Sequence, residues 1–135
     1  FAPTKYFERD DFARFLDLIP DSQDGVALRH ALEIRHESFA DPTFFDLART
    51  RNIAVVFADI DEYPCIDEAT ADFSYARLQR TEESVETGYD DKTLDAWADK
   101  TRGWSKGGSD AYVFFIAGAK VRNPTAARML IKRMI

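Results

Sequence analysis

The sequence predicts an α/β fold, a parallel sheet of alternating β and α units, and three observations carry that prediction. Short apolar runs alternate with segments of helical period along the whole chain. The run Ile53 to Ala58 is almost continuously apolar, as expected of a parallel strand covered on both faces. Helix-start signals, Asp41-Pro42 and Asn123-Pro124, stand in the gaps between such runs. With 135 residues, 45% of them hydrophobic, the chain suits one globular unit over residues 1–135 and is short for two domains.

Taken in order, Phe1-Ala2-Pro3 reads as the exposed end of a strand whose body is absent, an opening that truncation explains better than a natural start. Asp10 to Leu18 reads as a helix, with Phe12, Phe15, Leu16 and Ile19 at helical spacing and Pro20 as its stop. Ala27 to Ile34 reads as a strand. The helix opened by Asp41-Pro42 carries Phe44, Phe45 and Leu47 and ends near Asn52. After the strand Ile53 to Ala58, a loop holding Tyr63-Pro64 leads to a strand over Phe73 to Leu78. Gln79 to Gly88 is polar and aperiodic, hence a loop. A helix then starts at Asp90 or Asp91, carries Leu94, Trp97, Ala98 and Trp104, and runs out at Gly107-Gly108. Ala111 to Ile116 is the last strand, and Asn123-Pro124 caps a final helix through Ala127, Leu130 and Ile131.

Composition excludes several classes. A balance of 18 basic against 24 acidic residues, net −6, repels phosphate backbones on average. Broad nucleic-acid binding is therefore not expected, although a local basic cluster can override the mean. Cys65 is the only cysteine, so an intramolecular disulfide is impossible. No apolar run approaches the roughly 20 residues that cross a bilayer, and no signal-peptide pattern is present. The cytoplasm is the default compartment.

In parallel α/β folds, sites gather at the carboxyl ends of strands. There the sequence places Glu33-Ile34-Arg35-His36, then Ala58-Asp59, then Arg77-Leu78, and finally Gly118-Ala119-Lys120-Val121-Arg122. Residues two apart share a strand face, so Glu33 goes with Arg35, Phe57 with Asp59, and Tyr75 with Arg77. The expected arrangement is a charge network in which Glu33 and Asp59 pair with Arg35 and Arg77. Glu33 and Asp59 are candidate acid/base groups and equally candidate ion-pair partners. Arg35, Arg77, Lys120 and Arg122 form a candidate anion clamp, with the helix start at Asn123-Pro124 beside it. His36 near two acids suits a metal in principle, but a backbone hydrogen bond is the preferred role and no metal site is expected. His30 reads as structural, Cys65 as a bystander thiol, Trp97 and Trp104 as core, and Glu82, Glu83 and Glu86 as a solvated loop.

Several blocks together resemble the DUF72 (YecE-like) family. The run Glu33-Ile34-Arg35-His36-Glu37-Ser38-Phe39 looks like its Glu-x-Arg-His-x-Ser-Trp block, and Asp59 with Tyr63-Pro64 like its Asp-Ser-Pro-x-Tyr-Pro block. Tyr75-Ala76-Arg77-Leu78 is similar to its Tyr-x-Arg-Leu strand. Gly88-Tyr89 with Leu94 and Trp97 is similar to its Tyr-x-x-x-x-Leu-x-x-Trp-Ala helix start. Two blocks depart from the pattern: Gln79-Arg80 stands where the family has His-Gly, and Phe114-Phe115-Ile116-Ala117 where it has Tyr-Phe-x-Asn. The resemblance implies the C-terminal part of a TIM-like (β/α) barrel, with about half of a full barrel of around 250 residues absent. It also implies a pocket at the strand ends to which His36 and Tyr63 contribute, and no settled activity or cofactor.

The resulting expectation is a protein that binds an anionic small molecule, phosphorylated ones included. In it Arg35, Arg77 and Lys120 bind charge, and Glu33 or Asp59 moves a proton if the protein is an enzyme. A non-catalytic anion or nucleic-acid-binding module and a purely structural charge network are the alternatives. Open sheet edges and exposed apolar faces predict self-association.

Overall fold

The structure, a computed structural model, describes residues 1–135. Its helices begin where side chains satisfy the free backbone donors of the first turn. Helix α1 (Arg9–Asp17) is capped by the Glu8 carboxylate, which accepts from the backbone of Asp10 and Asp11. Helix α2 (Pro42–Thr50) has Asp41 accepting from Thr43 N at 2.7 Å and proline in its first turn. Helix α3 (Asp91–Trp104) has Asp90 accepting from Thr93 N at 2.7 Å. Helix α4 spans Asn123–Met134.

The expected strand over Ala27 to Ile34 is broken in two. Strands β1 (Ser22–Gln23) and β2 (Val26–Ala27) form an antiparallel hairpin, and only β3 (Ala31–Leu32) enters the parallel sheet. The cause is Asp24-Gly25, both with positive φ (51° and 80°), which makes the tight turn that two-residue hairpins require.

The parallel sheet continues through β4 (Ala54–Val55), β5 (Phe57–Asp59), β6 (Phe73–Leu78) and β7 (Asp110–Phe115). Only Val56 separates β4 from β5: β4 pairs with β3, and β5 pairs with β6. Val56 N donates to Leu32 O at 2.9 Å, so this is one strand that passes from one neighbour to the other. The spatial order is therefore the order in sequence, with every pairing parallel, as expected for βα repeats. At the outer edge of β3 the Phe1 backbone nitrogen donates to Glu33 O at 3.2 Å.

Cross-strand partners share a face, and the register assigns the two faces. One face carries Leu32, Ile34 and Val55 toward α1 and α2. There they join Phe12, Leu16, Phe39, Phe44 and Ile53 in the main core. Further along, the same face carries Phe57 against Trp97 and Trp104 of α3 (ring centroids 5.9 and 5.2 Å), the packing role expected of both tryptophans. The opposite, concave face carries Glu33, Val56, Tyr75, Arg77 and Tyr112. No helix of the chain is long and apolar enough to cross a membrane.

Candidate functional site

The concave face holds a cavity of about 640 Å³, walled by Glu33, Arg35, Tyr75, Arg77, Tyr112 and Ile116 among others. At its carboxyl-end rim Glu33 links two strands. Its Oε1 accepts from Arg35 Nε and Nη2, both at 2.8 Å, and its Oε2 accepts from Arg77 Nη1. The Glu33 side chain is 12% exposed, while Arg35 and Arg77 keep 36% and 25% of theirs open to solvent. Burial pushes the Glu33 carboxyl up, but the hydrogen bonds and charges of Arg77 and Arg35 outweigh it. The net effect holds Glu33 below its ordinary value, so it is ionised at neutral pH. The Arg35 guanidinium also lies over the Tyr63 ring, 5.1 Å from its centroid, an attractive cation–π contact.

Asp59 is not part of this cluster, which corrects the expected Glu33–Asp59 pairing with Arg35 and Arg77. Its register partner is the fully buried Leu78, whereas Arg77 partners Ala58; Asp59 thus lies on the helix-facing side of the sheet. There Arg80 binds it (Nε to Oδ1, 3.1 Å) and also reaches Asp61 at 3.0 Å. Burial raises the Asp59 carboxyl, with Arg80 opposing and Asp61 assisting. The Arg80 backbone N–H donates to the Tyr89 hydroxyl at 3.1 Å, and burial pushes that phenol up to about 12.

The other candidates divide. His36 takes the backbone role: its Nδ1 meets Ser38 N at 3.1 Å and Ser38 Oγ at 2.9 Å, and its ring lies 4.0 Å from that of Tyr6. Arg122 is not in the clamp, because its guanidinium binds the carbonyls of Glu83 and Glu86 across the loop before α3. Lys120 is exposed and makes no ion pair. Asn123 does not cap α4. Its side chain accepts from Thr81 Oγ1 and Ala117 N and donates to Ala117 O, tying the end of β7 to the loop after β6. Cys65 has its thiol pushed up by partial burial and by Asp59 and Asp67, the opposite of nucleophile activation. No group of three or more His, Cys, Asp or Glu side chains is placed to hold a metal ion.

Two features escaped the sequence reading. Arg29 crosses the amino-end of the concave face to bind Asp110 (2.6 Å) and the Tyr112 hydroxyl (3.0 Å), over the Phe73 ring. Its signal was its even spacing from Glu33 and Arg35. The second is a row of aromatic rings, Tyr75 with Tyr112 and Phe114, whose signal was the alternation along β6 and β7.

The model of the family described as "Protein of unknown function DUF72" matches residues 1–135. The chain belongs to the DUF72 family. Among solved structures it is similar to a DUF72 family protein from Enterococcus faecalis, seen in two crystal structures. Both give a TM-score of 0.74, with 13% and 15% identity over 99% and 98% of this chain. It is also similar to a DUF72 family protein from Thermotoga maritima, with a TM-score of 0.70 and 20% identity over 99% of this chain. The chain spans 56%, 57% and 55% of those chains, little more than half their length. At such identities the likeness carries the fold: this is part of a TIM-barrel-like DUF72 domain, and the concave face is the one that looks into the barrel. No curated protein matches the chain.

Proposed function

We propose that this DUF72 chain binds a small anionic molecule at the carboxyl ends of β3 and β6, with Arg35 and Arg77 as the binding groups. The observation that supports it is the Arg35–Glu33–Arg77 cluster at the rim of an open cavity. One carboxylate between two guanidiniums leaves the cluster with a net positive charge, and each arginine keeps donors free for a carboxylate or phosphate. Glu33 is the counter-ion that both arginines share. Held below its ordinary value, it is a poor proton donor and a weak base at neutral pH, and Asp59, the carboxyl that burial raises, lies on the other face of the sheet. The arrangement therefore favours binding over acid/base chemistry at this cluster.

Calorimetric titration with inorganic phosphate tests the reading. The chain is expected to bind saturably, and Arg77→Ala and Arg35→Ala are each expected to weaken binding roughly tenfold or more, the worth of a charge-assisted hydrogen bond. Circular dichroism checks that both variants remain folded. Equal affinity in folded variants contradicts the proposal. It would support the second reading, in which Glu33 exists to bind β3 to β6, a role that its contacts with both strands also fit.

A further inference from the structure

We infer that the anion held at Arg35 and Arg77 carries a planar aromatic or heteroaromatic ring, which lies against Phe114 and extends a stack of aromatic side chains on the concave face. This rests on the anion-binding reading above and adds the class of ligand. Tyr75 stacks with Tyr112 (centroids 6.4 Å apart, planes at 29°) and with Phe114 (4.9 Å, 27°). The row therefore runs Tyr112, Tyr75, Phe114. Within these 135 residues Tyr112 is 40% and Phe114 41% exposed.

Position ties the row to the charges. Arg77 and Phe114 are direct register partners on β6 and β7, so they share the concave face and stand about 5 Å apart along the pairing direction. A ring resting on Phe114 would hold its own anionic substituent beside Arg77, with Arg35 across the cavity. Ile116, 42% exposed and two residues beyond Phe114, just past the end of β7, gives the ring an apolar edge to meet. Stacked aromatic pairs are attractive beyond the area they bury, so a flat ring gains what a saturated ring of similar size does not. Glu33 already neutralises one guanidinium, so the cluster matches a single negative charge better than two.

Titrating the 135-residue chain with benzoate and, separately, cyclohexanecarboxylate isolates the ring, because both present the same carboxylate. Benzoate is expected to bind roughly two- to tenfold more tightly, the range that aromatic pairing supplies. Phe114→Leu is expected to erase that preference while retaining carboxylate binding. Equal affinities for the two acids, or a preference that survives in Phe114→Leu, overturn the inference and leave the anion site standing. Binding of phosphate but of neither acid has the same meaning. Failure of all three anions removes the anion site and the inference together. The wild-type comparison decides the matter even if Phe114→Leu does not fold.

Discussion

Replacing Glu33 by Gln separates binding from scaffolding, because the two roles predict opposite changes in two quantities. The substitution keeps the shape of the side chain and removes the charge between Arg35 and Arg77. Removing one member of a buried ion pair costs about 3–5 kcal/mol. Here the arginines are 36% and 25% exposed, so water screens their repulsion and the expected loss falls to roughly 1–3 kcal/mol. For a chain of this size that is a Tm decrease of roughly 3–15 °C. Anion affinity should move the other way, because both guanidiniums lose their internal competitor. The acid limb gives a third readout. Glu33 titrates below its ordinary 4.5 in the folded chain, so its contribution is fully present above pH 4.5 and is lost as pH falls through the lower folded value. The variant lacks this group, so its stability should decline less steeply than wild type below pH 4.5. Denaturant unfolding from pH 7 downward, with phosphate titration at pH 7, measures all three. A variant as stable as wild type at pH 7, with the same acid slope, refutes the ion-pair argument; lower stability with unchanged or weaker phosphate binding refutes the ligand role.

Other outcomes follow from the same geometry. Tyr89 should resist ionisation until about pH 12 in a spectroscopic phenol titration. Unfolded tyrosine releases its proton near 10, so stability should fall as pH rises from there; ordinary titration of every tyrosine contradicts this. Gly88→Ala should destabilise by about 1–3 kcal/mol in urea unfolding, because φ is +78° and a Cβ would meet Thr81 Cγ2 at 3.1 Å and Ala126 Cβ at 3.3 Å. A neutral effect would mean the loop shifts freely. Phe44→Ala should cost about 3–5 kcal/mol, since Phe44 is fully buried against Phe7, Phe12 and Phe39; a loss below 1 kcal/mol contradicts the assigned core. Finally, β7 pairs only with β6, and its outer edge is a template for another strand. Sedimentation of the 135-residue chain should show self-association, and a monodisperse monomer contradicts it.

The helices and the longer strands were legible in the sequence because their signals are local. Asp41-Pro42 and Asp90 act as the caps that their chemistry suggests, and β6 begins and ends at Phe73 and Leu78 as read. The Glu33–Arg35–Arg77 cluster was legible for the same reason, since residues two apart in a strand share a face. What alternation cannot supply is which face of one strand meets which face of the next. That is decided by register, and it puts Asp59 with Leu78 and turns it toward the helices. The hairpin at Asp24-Gly25 was a local signal that the apolar run after it obscured. Lys120, Arg122 and Asn123 belong to a loop and a helix start, where no period fixes direction. There the free carbonyls of Glu83, Glu86 and Ala117 determined where the Arg122 and Asn123 side chains went.

The proposed function requires Arg35 and Arg77 to remain available to an outside anion although both already hold Glu33. Arginine side-chain nitrogen resonances, followed by NMR through a phosphate titration, report on this directly. Saturable shifts are expected at Arg35 and Arg77, with Arg102 and Arg133 unmoved, because those two are committed to Asp99 and to Asp91 and Asp95. Unmoved Arg35 and Arg77 resonances, or shifts spread evenly over every arginine, would contradict it.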